Sequence, residues 1–293
     1  MTWIVGLGLR SPGDGALRLA GWLAAGGGEP FTAVHVLEHE HLRAVLRHHP
    51  REEVRDGARR EAERAVAADG APRGMGPPEI VEAITAVEGI EEAARRLGAG
   101  AIVVGRRAGQ GSRAPVRLGR TARALLRRLP APVLVVPPDL DPGAVGPGPV
   151  VALTSLDDDA IDAARFARGL AARAGRPLVL VHVVPGVEGA GTYLPARALE
   201  SAARDRQVEA EMALDAWVDA HGIEADGGVV LQGSVVDAAL EFAAGRGAPL
   251  LVTGSRRLSL AERALFNSVG SELAAAAPVP VAVVPPGERA AAR

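Results

Sequence analysis

The chain repeats itself, and that fact limits its possible folds more than any other. Val34-His35-Val36 returns as Val181-His182-Val183, Ala131-Pro132-Val133 as Val279-Pro280-Val281, and Val135-Val136-Pro137 as Val283-Val284-Pro285. Matches in the same order in both halves of a 293-residue chain make an internal duplication. Each half must therefore be one copy of a single module. The stretch Pro137-Pro-Asp-Leu-Asp-Pro-Gly-Ala-Val-Gly-Pro-Gly-Pro149 between them has the composition of a linker. The expected division is a first domain over 1–140, a linker over 141–148 and a second domain over 149–293.

The module alternates strand and helix. In the first half, Trp3–Leu9 reads as a strand, Ser11–Gly15 as a turn, Ala16–Ala25 as a helix and Phe31–Leu37 as a second strand. His39–Ala68 has apolar residues at helical spacing, with a break expected near Pro50. Ala71–Pro78 is a Pro- and Gly-rich loop, Ile80–Val87 a third strand, and Gly89 opens a helix to Leu97. Ala101–Val104, a helix over 120–129 and Val133–Val136 complete the half. In the second, strands are expected at Val150–Leu153, Leu178–Val184, Val229–Leu231, Leu250–Thr253 and Val281–Val284. Helices are expected at Asp157–Ala174, Leu199–Ala220 and Val235–Ala244. The strands are apolar throughout, as they are when helices cover both faces of a parallel sheet. Right-handed crossovers leave few topologies, and the predicted fold is α/β: two tandem flavodoxin-like domains, each a five-stranded parallel sheet of order 3-2-1-4-5.

In that order the topological switch point lies between strands one and four, and a ligand would sit at their carboxyl ends. The strand-four loops start there. The first, Gly105–Gly119, carries Gly105, Gly109, Gly111 and Gly119 with Arg106, Arg107, Arg113, Arg117 and Arg120; the second follows Gly254. A strand, a glycine loop and a helix N-terminus present backbone N–H groups to a phosphate, and guanidinium groups grip it bidentately. The competing account is that the glycines shape a turn and the arginines are solvated.

Composition removes several classes of function. There is no cysteine, so disulfides, thiol catalysis and cysteine-ligated metal are excluded. Lys+Arg number 33 against Asp+Glu 35, which gives no argument for nucleic acid or an anionic membrane as partner. No apolar run approaches a membrane span, and MTWIVGLGL reads as a first strand and not a leader, so a cytoplasmic protein is expected. There is no G-x-S-x-G elbow, no G-x-x-x-x-G-K-[ST] loop, no H-E-x-x-H, and no G-x-G-x-x-G after strand one. An enzyme of a familiar class is not expected. His35, His39, His41, His48 and His49 follow no metal-ligand template, and no metal site is assigned. Asp157-Asp-Asp159 is better explained as helix capping.

The strand-two V-H-V, the I-V-V-G that opens the first loop (Ile102–Gly105), and the closing A-x-x-L-L-x-x-x-P-x-P-V-L-V-V-P resemble the universal stress protein family, here as a tandem two-domain bacterial member. The resemblance covers nearly the whole chain. It implies a HUP-type fold (adenine nucleotide α-hydrolase-like) and dimerisation through the last strand. Many members bind ATP through G-x2-G-x9-G-[ST]; others have lost the loop. In the first half Gly105 matches, Ala108 stands at the second glycine with Gly109 one residue late, and x9 then reaches Gly119, with Arg120 in the hydroxyl position and Thr121 after it. In the second half Gly254 matches, Arg257 replaces the second glycine, and Asn267-Ser268 end the motif. The ATP-binding members' Asp after strand one is missing near Gly8-Leu9 and near Thr154.

The site residues carried by the resemblance are thus Gly105, Gly109, Gly119, Arg120, Thr121 and Val36, and Gly254, Arg257, Asn267, Ser268, Thr154 and Val183, for ATP, with magnesium where it accompanies the nucleotide. Val36 and Val183 would lie near the adenine, or simply pack in the core. Ser268 would donate to a phosphate or cap its helix. His35 and His182 are expected to be structural. Two functions stay open: a stress-response protein binding adenine nucleotide in one or both halves, and a nucleotide-free scaffold for protein partners. The terminal strands are expected to pair with each other as an intrachain pseudo-dimer, or with those of a second copy as a homodimer.

Overall fold

A computed structural model of the chain describes residues 2–9, 15–28, 30–68, 72, 75–106, 118–186, 195–255 and 268–287. The chain divides into two compact units: Met1–Val145 with Ala274–Ala282, and Gly146–Leu273 with Val283–Arg293.

The first half runs β1 (Thr2–Gly6), α1 (Gly15–Ala24), β2 (Phe31–Glu38), α2 (His39–Val45), α3 (Arg51–Ala68), β3 (Glu79–Ala83), α4 (Ala86–Leu97), β4 (Ala99–Gly105), α5 (Arg120–Arg128) and β5 (Val133–Val136). Its strand order is β3-β2-β1-β4-β5, and each neighbouring pair is parallel. This is the expected 3-2-1-4-5 order. Ile4, Val5, Ala101–Val104 and Val133–Val136 are buried along the centre, with Leu17, Leu19 and Leu23 of α1 laid against them.

The second half runs β6 (Val150–Thr154), a 3-10 turn (Asp158–Ala160), α6 (Ile161–Ala174), β7 (Leu178–Val184), α7 (Ala196–His221), β8 (Gly227–Gln232), α8 (Val235–Arg246), β9 (Leu251–Gly254), α9 (Val269–Ala276) and β10 (Val281–Val284). β8, β7, β6 and β9 are paired in that order, all parallel. The Ser255 N–H donates to the Val284 carbonyl at 2.8 Å, and β10 follows β9 in the sheet. The module's topology is thus repeated.

Local chemistry sets the boundaries. The expected break near Pro50 is present: α2 ends at Val45 and α3 begins at Arg51. Strand three is shorter than Ile80–Val87, because Thr85 caps α4 and its hydroxyl accepts from the Glu88 N–H at 3.2 Å. The cue, Thr85 followed three residues later by Glu88, is present in the sequence. α4 also presses close on the sheet. A Cβ on Gly89 would lie 2.7 Å from both Cγ atoms of Val36, so only glycine fits there unstrained. Among the described residues, no helix is long and apolar enough to cross a membrane.

Candidate functional site

In the first half, β1 and β4 end side by side, as a switch point requires: Gly6 pairs with Val104, and Gly105 with Val136 of β5. The β1–β2 ladder extends one step further, through the Leu7 N–H to the Val34 carbonyl at 2.8 Å. After the loop, α5 begins at Arg120. Its N-cap is Gly119, in extended backbone (φ −63°, ψ 162°) with no side-chain capping bond. The Gly119 carbonyl accepts from Arg123 at 3.0 Å, so the helix is regular from its first turn. The first N–H groups of a helix have no partner within it, and among the described residues no side chain caps those of α5. The first turn carries no acidic side chain and an exposed Arg120, which with the helix dipole favours an anion. Gly109 lies outside the described residues, as do Arg107, Gly111, Arg113 and Arg117.

Val36 is half-buried, pairs with Val81 and packs on Gly89. Its contacts here are those of a packing residue. Beside it, His35 Nδ1 lies 3.0 Å from the Leu7 carbonyl, at the end of strand one. Burial holds the His35 imidazole below its ordinary value, while the Leu7 hydrogen bond and the Glu38 charge partly oppose this.

The second half repeats this frame with different fittings. His182 Nδ1 lies 2.9 Å from the Thr154 carbonyl, which makes Thr154 the counterpart of Leu7. The buried Thr154 hydroxyl accepts from the Leu156 N–H at 3.0 Å, and Leu156 takes a left-handed conformation (φ 61°). Asp157 Oδ1 then accepts from the Ala160 N–H at 3.1 Å, so this acidic residue caps, as expected. β9 ends at Gly254, and Val183 is half-buried opposite Leu231. At α9, Ser268 Oγ accepts from the Ser271 N–H at 3.2 Å and donates to Ser271 Oγ at 3.0 Å. Its hydroxyl is engaged in capping at both its donor and its acceptor. Arg257 and Asn267 lie outside the described residues.

One arginine of the first loop is not a phosphate ligand here. Arg106 is buried, and its Nη1 donates to the Ala274 and Ala275 carbonyls at 3.2 and 2.7 Å, within the same compact unit. It thereby serves the carbonyl end of α9, where a cation is favoured. Burial lowers its pKa, with Asp139 acting against the shift. Of the clustered histidines, His41 and His49 sit near Glu38 and Glu53, at 3.5 and 3.6 Å. Among the described residues no group of three or more His, Asp or Glu could hold a metal ion.

The architecture recurs in solved structures. A protein of unknown function from Pseudomonas aeruginosa PAO1 matches with a TM-score of 0.65 and 15% identity, covering 97% of this chain and 92% of its own. A universal stress protein from Archaeoglobus fulgidus DSM 4304 matches with a TM-score of 0.61 and 17% identity over 98% of both chains. At these identities the likeness is one of fold. A comparison with curated proteins gives no match. The model of the universal stress protein family matches twice, over residues 3–137 and 149–285, so the chain belongs to the universal stress protein family as a tandem of two of its domains.

Proposed function

We propose that this protein is a stress-response binding protein that takes an adenine nucleotide, ATP, in its first half. Gly105, Gly109, Gly119, Arg120 and Thr121 would line the phosphate end, and Val36 the adenine end. The observation that carries this reading is the uncapped N-terminus of α5. It stands at the carboxyl side of the sheet, beyond Gly105, with no acidic side chain in its first turn. The corresponding set of the second half, Gly254, Arg257, Asn267, Ser268, Thr154 and Val183, would bind more weakly, since Ser268 already satisfies its own helix. Magnesium would accompany the triphosphate. Action would come through conformation and partner contact in the cytoplasm, with at most slow hydrolysis. The domain limits 1–140 and 149–293 belong to the same reading, as does pairing of the two terminal strands in a pseudo-dimer.

A second reading is a scaffold without nucleotide. It is favoured by the lack of an acid after strand one, near Gly8-Leu9 in the first half and near Thr154 in the second. Titration calorimetry with ATP and magnesium separates the two. Heat of binding that Gly119→Val removes supports the first. No heat and no melting shift at millimolar ATP supports the scaffold.

A further inference from the structure

The two strand-two histidines are only half accounted for by packing. In each, Nδ1 faces the last carbonyl of strand one, at 3.0 Å for His35 and 2.9 Å for His182. A carbonyl oxygen can only accept, so Nδ1 carries the hydrogen in both rings. In the neutral imidazole this fixes the tautomer and leaves Nε2 as a bare lone pair. Burial lowers the His35 pKa and so favours the neutral ring. Both histidines are half-buried, and among the described residues neither Nε2 has a hydrogen-bond partner. The fold thus holds, at the same place in each half, an oriented acceptor at the carboxyl end of strand one.

Phosphate oxygens at neutral pH are acceptors and have nothing to offer such an atom. The donors of a nucleotide are its ribose hydroxyls and the exocyclic amine of its base. We infer that His35 is a binding residue that marks the nucleoside end of the site, its Nε2 accepting a hydrogen bond from an O–H or N–H donor of the ligand, and that His182 is its duplicate in the second half. This inference rests on the nucleotide reading above. It adds a polarity to the site: N–H donors of α5 for the phosphates, an imidazole acceptor for the nucleoside. Glu38 is the charged group that acts on the His35 ring, and its carboxylate is itself engaged by the Ala86 N–H at 3.0 Å.

The test uses the full chain and two substitutions that separate the nitrogens. His35→Asn keeps an N–H at the Nδ1 position for Leu7 and has no acceptor at the Nε2 position; His35→Gln places its amide oxygen near the Nε2 position and leaves no N–H at the Nδ1 position. Calorimetry with ATP should show affinity falling about tenfold in His35→Asn, with His35→Gln within about threefold of the unsubstituted protein. Equal binding by His35→Asn and the unsubstituted chain would overturn the inference, and so would a Gln variant weaker than the Asn variant. 2′-deoxy-ATP, 3′-deoxy-ATP and purine riboside triphosphate identify the donor. One of them should lose affinity for the unsubstituted protein and be indifferent to His35→Asn. An Asn effect equal for all three analogues contradicts direct contact. If the unsubstituted chain binds no ATP, the functional reading fails and this inference with it; if it binds and His35→Asn is silent, only this inference fails. Nitrogen NMR of the ligand-free protein is independent of both, because a hydrogen on His35 Nε2 with Nδ1 bare would exclude the acceptor directly.

Discussion

The two halves share a strand order and differ at the helix that follows strand four. α5 starts at Arg120 after Gly119, with no side-chain cap among the described residues, whereas α9 starts after Ser268, whose hydroxyl holds Ser271. Counted back from the closing strands, Ser268 occupies the position of Arg120, and α9 begins one residue later than α5. The end of strand one differs in the same sense. Leu7 offers only backbone, while Thr154 ties Leu156 and is followed by a capping Asp157. The second half has turned groups suited to a ligand towards its own backbone. A duplicated fold can thus keep its frame while the availability of N–H donors, which determines anion binding, diverges by single side chains.

The comparison can be broken most strongly at Arg106. It occupies the position of Ser255: both follow the last residue of strand four, and their N–H groups donate to Val136 and Val284 at 2.7 and 2.8 Å. Arg106 adds a long cationic side chain that reaches the α9 carbonyls. Arg106→Met leaves those carbonyls without their cation and should cost about 2–3 kcal/mol in chemical denaturation. A loss below about half a kcal/mol would reduce Arg106 to a solvated residue.

The next contrast is the helix after strand three. Four residues beyond their caps, α4 has Gly89 and α8 has Ala238. Gly89→Ala drives a methyl group into Val36 and should destabilise by about 1–3 kcal/mol. Ala238→Gly should cost only about 1 kcal/mol, the ordinary helix penalty. Equal effects would show that the two helices approach their sheets alike.

Capping gives a smaller effect. Ser268→Ala should cost about 1 kcal/mol, whereas Gly119→Ser, which supplies α5 with a cap, should stabilise by no more than a few tenths. A neutral Ser268→Ala would mean that α9 does not depend on its cap. Acidification gives the smallest effect. Burial lowers the His35 pKa from 6.5, so around pH 6 the unfolded chain binds more protons than the folded one. Stability should therefore fall as pH drops below 6.5 and level off below the folded value. His35→Asn should flatten that limb in denaturant melts.

Much of the frame was legible because its signals are local. Apolar strands, the Pro50 break and the repeated V-H-V point to the strand order, and the capping pair Thr85 and Glu88 marks the start of α4 inside an otherwise apolar run. The site was less legible, because its chemistry depends on tertiary partners. The carbonyls bound by Arg106 lie 168 and 169 residues away in sequence, and no pattern within the first loop reveals them. The histidine rings could be read as packed, but which nitrogen is bonded depends on a carbonyl 28 residues away. Gly109, Arg257 and Asn267 fall outside the described residues.

The most direct test of the contrast is the stoichiometry of ATP binding with magnesium, measured by calorimetry on the intact chain and on the Gly119→Val and Ser268→Ala variants. One tight site per chain, abolished by Gly119→Val and untouched by Ser268→Ala, is the predicted result. Two equal sites, a site lost only with Ser268, or no binding at all would contradict it.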